Sequence, residues 1–486
     1  MKNEKIKKVS VKKNFIYSIF YQVLCLVVPF ITTPYVSRIL GAEGIGIYSY
    51  TFSIVTYFTL FAALGTTTYG TREIAQHRDD AYISSKLFWE ITVMKGITTG
   101  VCLLFWGIVI VFSEQYRYYY IALIPVLLGT LFDISWFFNG FEQIKYNVIR
   151  NSMCKIGGII LLLLLVRKKS DLIIYVLINS MITLIGNLSM WTYLPRFLVH
   201  VDLRSLSLKR HFKETLVYFI PTIATSIYTV LDKSLIGIIT ENAYENGYYE
   251  QATKIINIIK ALVFTSVNTV MEARIAYLFA ERKFDEIHRR IEKSLSLILL
   301  LGFGCVFGLL GIARTFVPIF FGNGYTPVIE LLYIFSPIIL VIGVSNCLGA
   351  QYYTPSGQRM KSAKIIIVGS CVNLCLNLIL IPSMKSNGAA IASLLAETCI
   401  TVLYIAKSNG YMTVKILWNN SWKRLIAGIC MLIGIHVVNI LQGSGTVSLL
   451  LQILVGGVIY GIVLLALKDG MLYELFEILK NILNRK

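Results

Sequence analysis

Residues 14–38 read NFIYSIFYQVLCLVVPFITTPYVSR, with no charge until the closing arginine. The hydrocarbon core of a bilayer takes roughly 20 apolar residues of helix, so this run is long enough to cross it. Six lysines precede it between Met1 and Lys13. No small-residue cleavage site lies ahead of Arg38, so the expectation is a retained first helix and no signal peptide.

Outward from that run the same pattern repeats. Candidate spans lie at 14–38, 44–67, 87–113, 117–140, 149–166, 171–194, 213–238, 247–272, 294–320, 327–350, 362–382, 387–406, 422–441 and 446–467. Pro29, Pro125, Pro221 and Pro337 fall inside spans, as membrane helices tolerate. The 486-residue chain is 56% hydrophobic and 15% charged, with a mean hydropathy of +0.69. Soluble domains carry about 25% charged residues, which excludes that class. The predicted fold is an all-α polytopic membrane protein of about fourteen helices.

Charge orients the set. With both termini cytoplasmic, the inner segments hold 33 of the 45 Lys and Arg, the outer segments seven, and the spans five. Positive residues gather on the cytoplasmic side, so an even number of spans is required. The net charge of +19 therefore points to anionic lipid or an anionic lipid substrate, and not to nucleic acid. Outer loops are too short for a catalytic domain. The longest inner stretches, 195–212 and 273–293, are basic, and 274–287 reads as an amphipathic helix at the inner surface or as a helix extension. The nine cysteines lie in apolar runs without metal-ligand spacing, so neither a metal nor another cofactor is expected.

A weak repeat divides the chain. Pro29, Arg38 to Gly41 and Gly46-Ile-Tyr48 in the first two spans match Pro221, Asp232 to Gly237 and Gly247-Tyr-Tyr249 six spans later. Spans 1–6 (residues 1–212) and 7–12 (213–410) read as parallel lobes around a central cavity, moving by alternating access. Residues 411–486 hold spans 13 and 14 and a cytoplasmic tail.

Pro34-Tyr-Val-Ser-Arg-Ile-Leu-Gly-Ala-Glu-Gly-Ile-Gly-Ile-Tyr-Ser-Tyr50, Tyr69-Gly-Thr-Arg-Glu-Ile-Ala75, Asp232-Lys233 and Phe320-Phe-Gly-Asn-Gly-Tyr325 resemble the polysaccharide repeat-unit flippases of the Wzx type. So do Ser336-Pro-Ile-Ile, Leu348 to Gly357, Asn373 to Pro382 and Gly388-Ala-Ala-Ile-Ala392, in the family's order. The resemblance covers about residues 10–410. It implies the multidrug/oligosaccharidyl-lipid/polysaccharide exporter fold in a bacterial inner membrane. It also implies a substrate, an oligosaccharide on undecaprenyl pyrophosphate, which is polymerised outside by partner machinery.

Such a protein makes no covalent bond, so it is not expected to be an enzyme. Cations neutralise phosphate, and a charge at mid-bilayer costs roughly 2.5–3.5 kcal/mol on insertion scales, which places it in a cavity or beside a partner. Lys260, near the midplane, ranks first for a cationic cavity, followed by Lys254, Lys233, Arg38 and Lys155. Glu397 lies at a depth similar to Lys260 and is its candidate partner; a pair between Lys254 and Glu250 is also expected. Lys155 and Lys95 lie where snorkelling to the inner face is cheap. Arg72, Arg150 and Arg274 belong to the inner mouth. Asp232, Glu397 and Asp133 are the candidates for coupling to an ion, and Asn373 with Asn377 reads as an interhelical hydrogen-bonding pair. Rival readings are a cation-coupled drug or metabolite antiporter, whose acids would sit in the N-terminal lobe where only Asp133 lies deep, a peptidoglycan lipid precursor flippase, and a membrane polymerase or glycosyltransferase. The last would need a long outer loop or a cytoplasmic domain.

Overall fold

The structure, a computed structural model, describes residues 11–443 and 445–483. The N-terminal Lys2, Lys5, Lys7 and Lys8 of the topology argument lie outside the described residues. No strand occurs among those described. Helix α1 (Val11–Ala63) turns back on itself at Gly41, where φ 69° and ψ 177° interrupt the helix and supply the first two expected spans. That φ is strained for any residue with a Cβ. There follow α2 (Thr66–His77), α3 (Ala81–Phe112), α4 (Arg117–Ala122), α5 (Ile124–Phe132), α6 (Ser135–Gly140), α7 (Ile144–Leu165), α8 (Leu172–Met190) and α9 (Leu208–Thr240). Beyond them come α10 (Ala243–Lys260), α11 (Ser266–Ala280), α12 (Phe284–Phe321), α13 (Pro327–Phe335), α14 (Ile338–Leu348), α15 (Arg359–Ala406), α16 (Val414–Gln442), α17 (Thr446–Ala466) and α18 (Gly470–Leu483).

Among the described residues, ten stretches are long and apolar enough to cross a membrane. Two of them contain a reversal, at Gly41 and at Lys385 (φ 51°, ψ −129°), and so hold two expected spans each. With α9 and α10 where spans 7 and 8 are expected, the arrangement is consistent with fourteen. The chain forms two compact units, Met1–Ser234 and Leu235–Lys486, which divide within α9.

In the first unit, Asp80 opens α3 by accepting the Tyr82 and Ile83 N–H groups at 2.9 Å each. The ends of α2, α3, α6 and α7 meet in a buried aromatic cluster of Tyr69, Phe88, Trp136, Phe137, Phe138 and Phe141. Helix α2 lies so close to α6 that a Cβ on Gly70 would stand 2.4 Å from Trp136. The same closing bond ends helices in both units. The Gln143 N–H donates to Phe138 C=O at 2.8 Å, and the Gln358 N–H to Tyr353 C=O at 2.9 Å. The residue before each glutamine has positive φ, Glu142 at 59° and Gly357 at 76°. Both are the 6→1 bond that closes a helix C-terminus.

In the second unit, α16 and α17 pack on α12, and polar groups fasten them at both ends. Buried Arg424 reaches Asp469 (3.2 Å) and Ser296 (2.7 Å). Farther along, Gln452 donates to Thr315 and Ser448 at 3.1 Å each. Asp469 also accepts the Leu472 N–H and so starts α18, which packs Met471 against Leu300, Ala427 and Leu464.

Of the two readings of 274–287, the structure has the helix extension and not the separate helix at the surface. Helix α11 runs on from the eighth span to Ala280, Arg282 takes φ 56°, and α12 begins at Phe284. The Lys283 N–H closes this turn on Leu278 C=O at 3.1 Å. The basic stretch is thus two helix ends and a tight turn.

Candidate functional site

Polar groups enter the membrane-spanning region of the first unit where a helix breaks. Span 4 stops being helical at Asp133 and resumes at Ser135, which frees backbone groups in a medium that offers no water. The chain supplies replacements for both halves. Lys95 of α3 donates to the Asp133 carbonyl at 2.8 Å, and the Asp133 carboxylate accepts the Ser135 N–H at 2.9 Å. Arg150 of α7 approaches that carboxylate at 3.8 Å and donates to Asn187 at 2.9 Å and Asn151 at 2.6 Å. Lys95 is 2% exposed, so it does not snorkel; its ammonium caps the end of α5. Arg150 is likewise not an open mouth residue, because its side chain is 12% exposed among these partners.

Other predicted residues of this unit are spread out. Lys155 lies 5.5 Å from the ring centre of Tyr21. Arg38 is exposed three residues before the Gly41 reversal. Arg72 donates to the Tyr218 hydroxyl on α9. Asp232 is buried with its charge near Tyr57, Lys233 is half-buried, and the neighbouring Ser234 pairs with Ser53 at 2.9 Å. A trio that the sequence reading missed joins α2, α3 and α9: Tyr69 Oη to His211 Nδ1 and His211 Nε2 to Glu90, each 2.7 Å. Nothing in the local pattern marked it, since its members lie 21 to 142 residues apart.

In the second unit, α10 carries Lys254 paired with Glu250 at 3.6 Å, as expected from the four-residue spacing, and ends at Lys260. Lys260 is half-buried, and Glu397 on α15 is the opposite charge acting on it, which joins the two residues named together from depth alone. Directly after Lys260 the helix widens into a π turn, Ala261–Thr265. A second π turn, Gly349–Tyr353, ends α14. π turns within α-helices are frequent at functional sites. Between them lies a buried amide network. Gln351 Nε2 donates to Asn268 Oδ1 (2.7 Å) and Ser294 Oγ (2.6 Å), and Asn268 Nδ2 donates to Asn346 Oδ1.

Asn373 and Asn377 share one face of α15, as their spacing leads one to expect, and Asn377 Nδ2 donates to Asn373 Oδ1 at 3.0 Å. Arg274 faces Glu286 at 3.7 Å and the Tyr277 ring at 5.3 Å, in the turn region. Its neighbour Glu281 is held below the usual carboxylate range by Lys283 first, 2.5 Å away, and then by the Tyr277 hydroxyl. Among the described residues no three His, Cys, Asp or Glu side chains gather as a metal site.

The arrangement holds charged groups inside the helices, spaces them along several spans and pairs them with carboxylates or amides. A model of the polysaccharide biosynthesis proteins matches residues 11–271, more than half of the chain. The chain belongs to that family. A model of the lipid II flippases (MurJ) matches residues 147–456 as well, so the chain is a membrane transporter of the flippase kind and not an enzyme. An Escherichia coli K12 protein named "Putative O-antigen transporter" is 26% identical over 403 residues, covering 82% of this chain and 96% of its own. Among solved structures, a lipid II flippase MurJ in an inward closed conformation shares the fold, with a TM-score of 0.72 and 15% identity. The match covers 93% of this chain and 98% of that one. A multidrug transporter, DinF-BH, follows at a TM-score of 0.57 and 16% identity, covering 87% and 98%.

Proposed function

We propose that the protein carries undecaprenyl-pyrophosphate-linked oligosaccharide repeat units from the inner to the outer leaflet of the bacterial cytoplasmic membrane by alternating access. The observation that carries this reading is Lys260, a half-buried lysine at the end of α10, beside the π turn, on which the opposite charge of Glu397 acts. A pyrophosphate brings more negative charge than Glu397 and competes for the same cation. Lys254, Lys233, Lys155 and Arg38 supply further positive charge along the path, and Arg72 and Arg274 collect the headgroup at the inner mouth. Arg150 joins them only on leaving Asp133, whose place between Lys95 and Arg150 favours a structural role over ion coupling. Asp232 and Glu397 are the better coupling candidates. The lobes that alternate are residues 1–212 and 213–410, with 411–486 appended; both termini face the cytoplasm, and the polymerase of the pathway takes the product.

The relative's name as an O-antigen transporter supports the substrate class. The flippase match over 147–456 favours a second reading, in which the cargo is the peptidoglycan lipid precursor. Deletion followed by extraction of lipid-linked intermediates separates the two. Repeat units building up on the inner leaflet, cleared by wild type and Lys260→Arg but not by Lys260→Ala, is the expected result. Accumulation of the peptidoglycan precursor would move the cargo to the second reading. No accumulation, with drug sensitivity in its place, would overturn both in favour of an antiporter.

A further inference from the structure

Lys260 is the last residue of α10 and the π turn begins at the next residue. In a π turn the helix holds an extra residue, so side chains on its two sides are out of the register that a continuous α-helix would give them. The direction of Lys260 relative to α11 is therefore set by whether 261–265 stays in the π form. Val263 and Phe264 of that turn are buried, and Phe264 packs near Gly343 of α14. On its far side, the third residue of α11 is Asn268, the acceptor of Gln351.

Gln351 is fully buried and lies in the other π turn. Its two donated bonds tie α11 through Asn268 and α12 through Ser294. The same turn reaches α15: Tyr353 Oη donates to Tyr404 C=O at 3.1 Å, and the two rings lie 4.8 Å apart. Tyr404 follows Glu397, the partner of Lys260, by two helical turns and feels its charge. One π turn thus touches both the helix that bears the cation, beyond its register shift, and the helix that bears the anion.

We infer that Gln351 is a positioning residue for Lys260: by holding Asn268 it keeps the 261–265 turn in π register and Lys260 directed at Glu397. This rests on Lys260 acting as the headgroup cation, but the positioning itself is readable without substrate. A polar residue in a helix interior otherwise serves only as packing glue, and a glue role would leave the direction of Lys260 unchanged.

The test is amine-reactive labelling of the full-length protein in membranes, with the ratio of Lys260 to Lys254 modification read by peptide mass spectrometry. Lys254 lies on the same helix and reports on the fold. Gln351→Leu is expected to change this ratio by about threefold, the factor that an interhelical hydrogen bond in a membrane protein is worth. It should also slow clearance of repeat units. If Gln351→Leu does not reach the membrane, Gln351→Met serves, because it keeps the length and carries no donor for Asn268. An unchanged ratio, with or without a loss of transport, overturns the inference. A changed ratio where deletion of the wild-type protein accumulates no repeat unit leaves the positioning in place and sinks the flippase reading instead.

Discussion

Span 4 of the first unit and span 10 of the second both depart from the α-helix, and different side-chain chemistry surrounds each departure. At Asp133, where the helix breaks, the support is an ionic repair: an ammonium on the carbonyl, a carboxylate on the next N–H, and a guanidinium behind it. At Gly349–Tyr353, where the helix widens, it is neutral, with carboxamides and a serine bonded to one another. An ionic repair is stiff, because removing one partner strands a charge. An amide network loses only hydrogen bonds when it rearranges. The comparison assigns a fixed support to the first departure and an adjustable one to the second, which is where Lys260 and its π turn lie.

The sharpest way to break this contrast is Asp133→Asn, which leaves Lys95 buried without its carboxylate. A loss of about 3 kcal/mol is expected, the lower end for a buried pair because the carboxylate is 28% exposed. Thermal melting in detergent and steady-state membrane levels would show it; a loss comparable to that of an amide deletion would abolish the distinction. The double variant Lys95→Met/Asp133→Asn should recover only part of the loss, since it removes the stranded charge but leaves the Asp133 carbonyl without its donor. Gln351→Leu is expected to cost less in stability, roughly 0.6–1.7 kcal/mol, while acting on transport as described above. Smallest of all is Glu281→Gln in the exposed turn. The folded-state pKa of Glu281 is lowered, so its contribution is present above the ordinary carboxylate range and is lost as pH falls through the folded value. Wild type and variant should therefore differ slightly in melting at neutral pH and converge in acid.

The spans were legible because hydropathy over twenty residues needs no partner to be read. The Lys254–Glu250 pair was legible for a related reason, its four-residue spacing. Lys260 and Glu397 were named together from depth alone. What stayed hidden depends on distant chain. Lys95 reads as a snorkelling lysine until span 4 is seen to break opposite it, and Asp133-Ile-Ser135 carries no proline or glycine to announce that break. The turn at Arg282 was hidden because a non-glycine residue gives no signal of positive φ, so 274–287 read as one helix. The π turns leave no compositional trace at all.

The turns at 138–143 and 353–358 read Phe-Asn-Gly-Phe-Glu-Gln and Tyr-Thr-Pro-Ser-Gly-Gln, and share little beyond the last residue. The same long backbone bond closes both, and it recurs at 278–283 and 464–469, each time with positive φ at the residue before the donor. Only one of the four gives that position to glycine; Glu142, Arg282 and Lys468 hold it in the others. Those three side chains therefore mark places where the chain gives up backbone ease, and a glycine at any of them would relieve it.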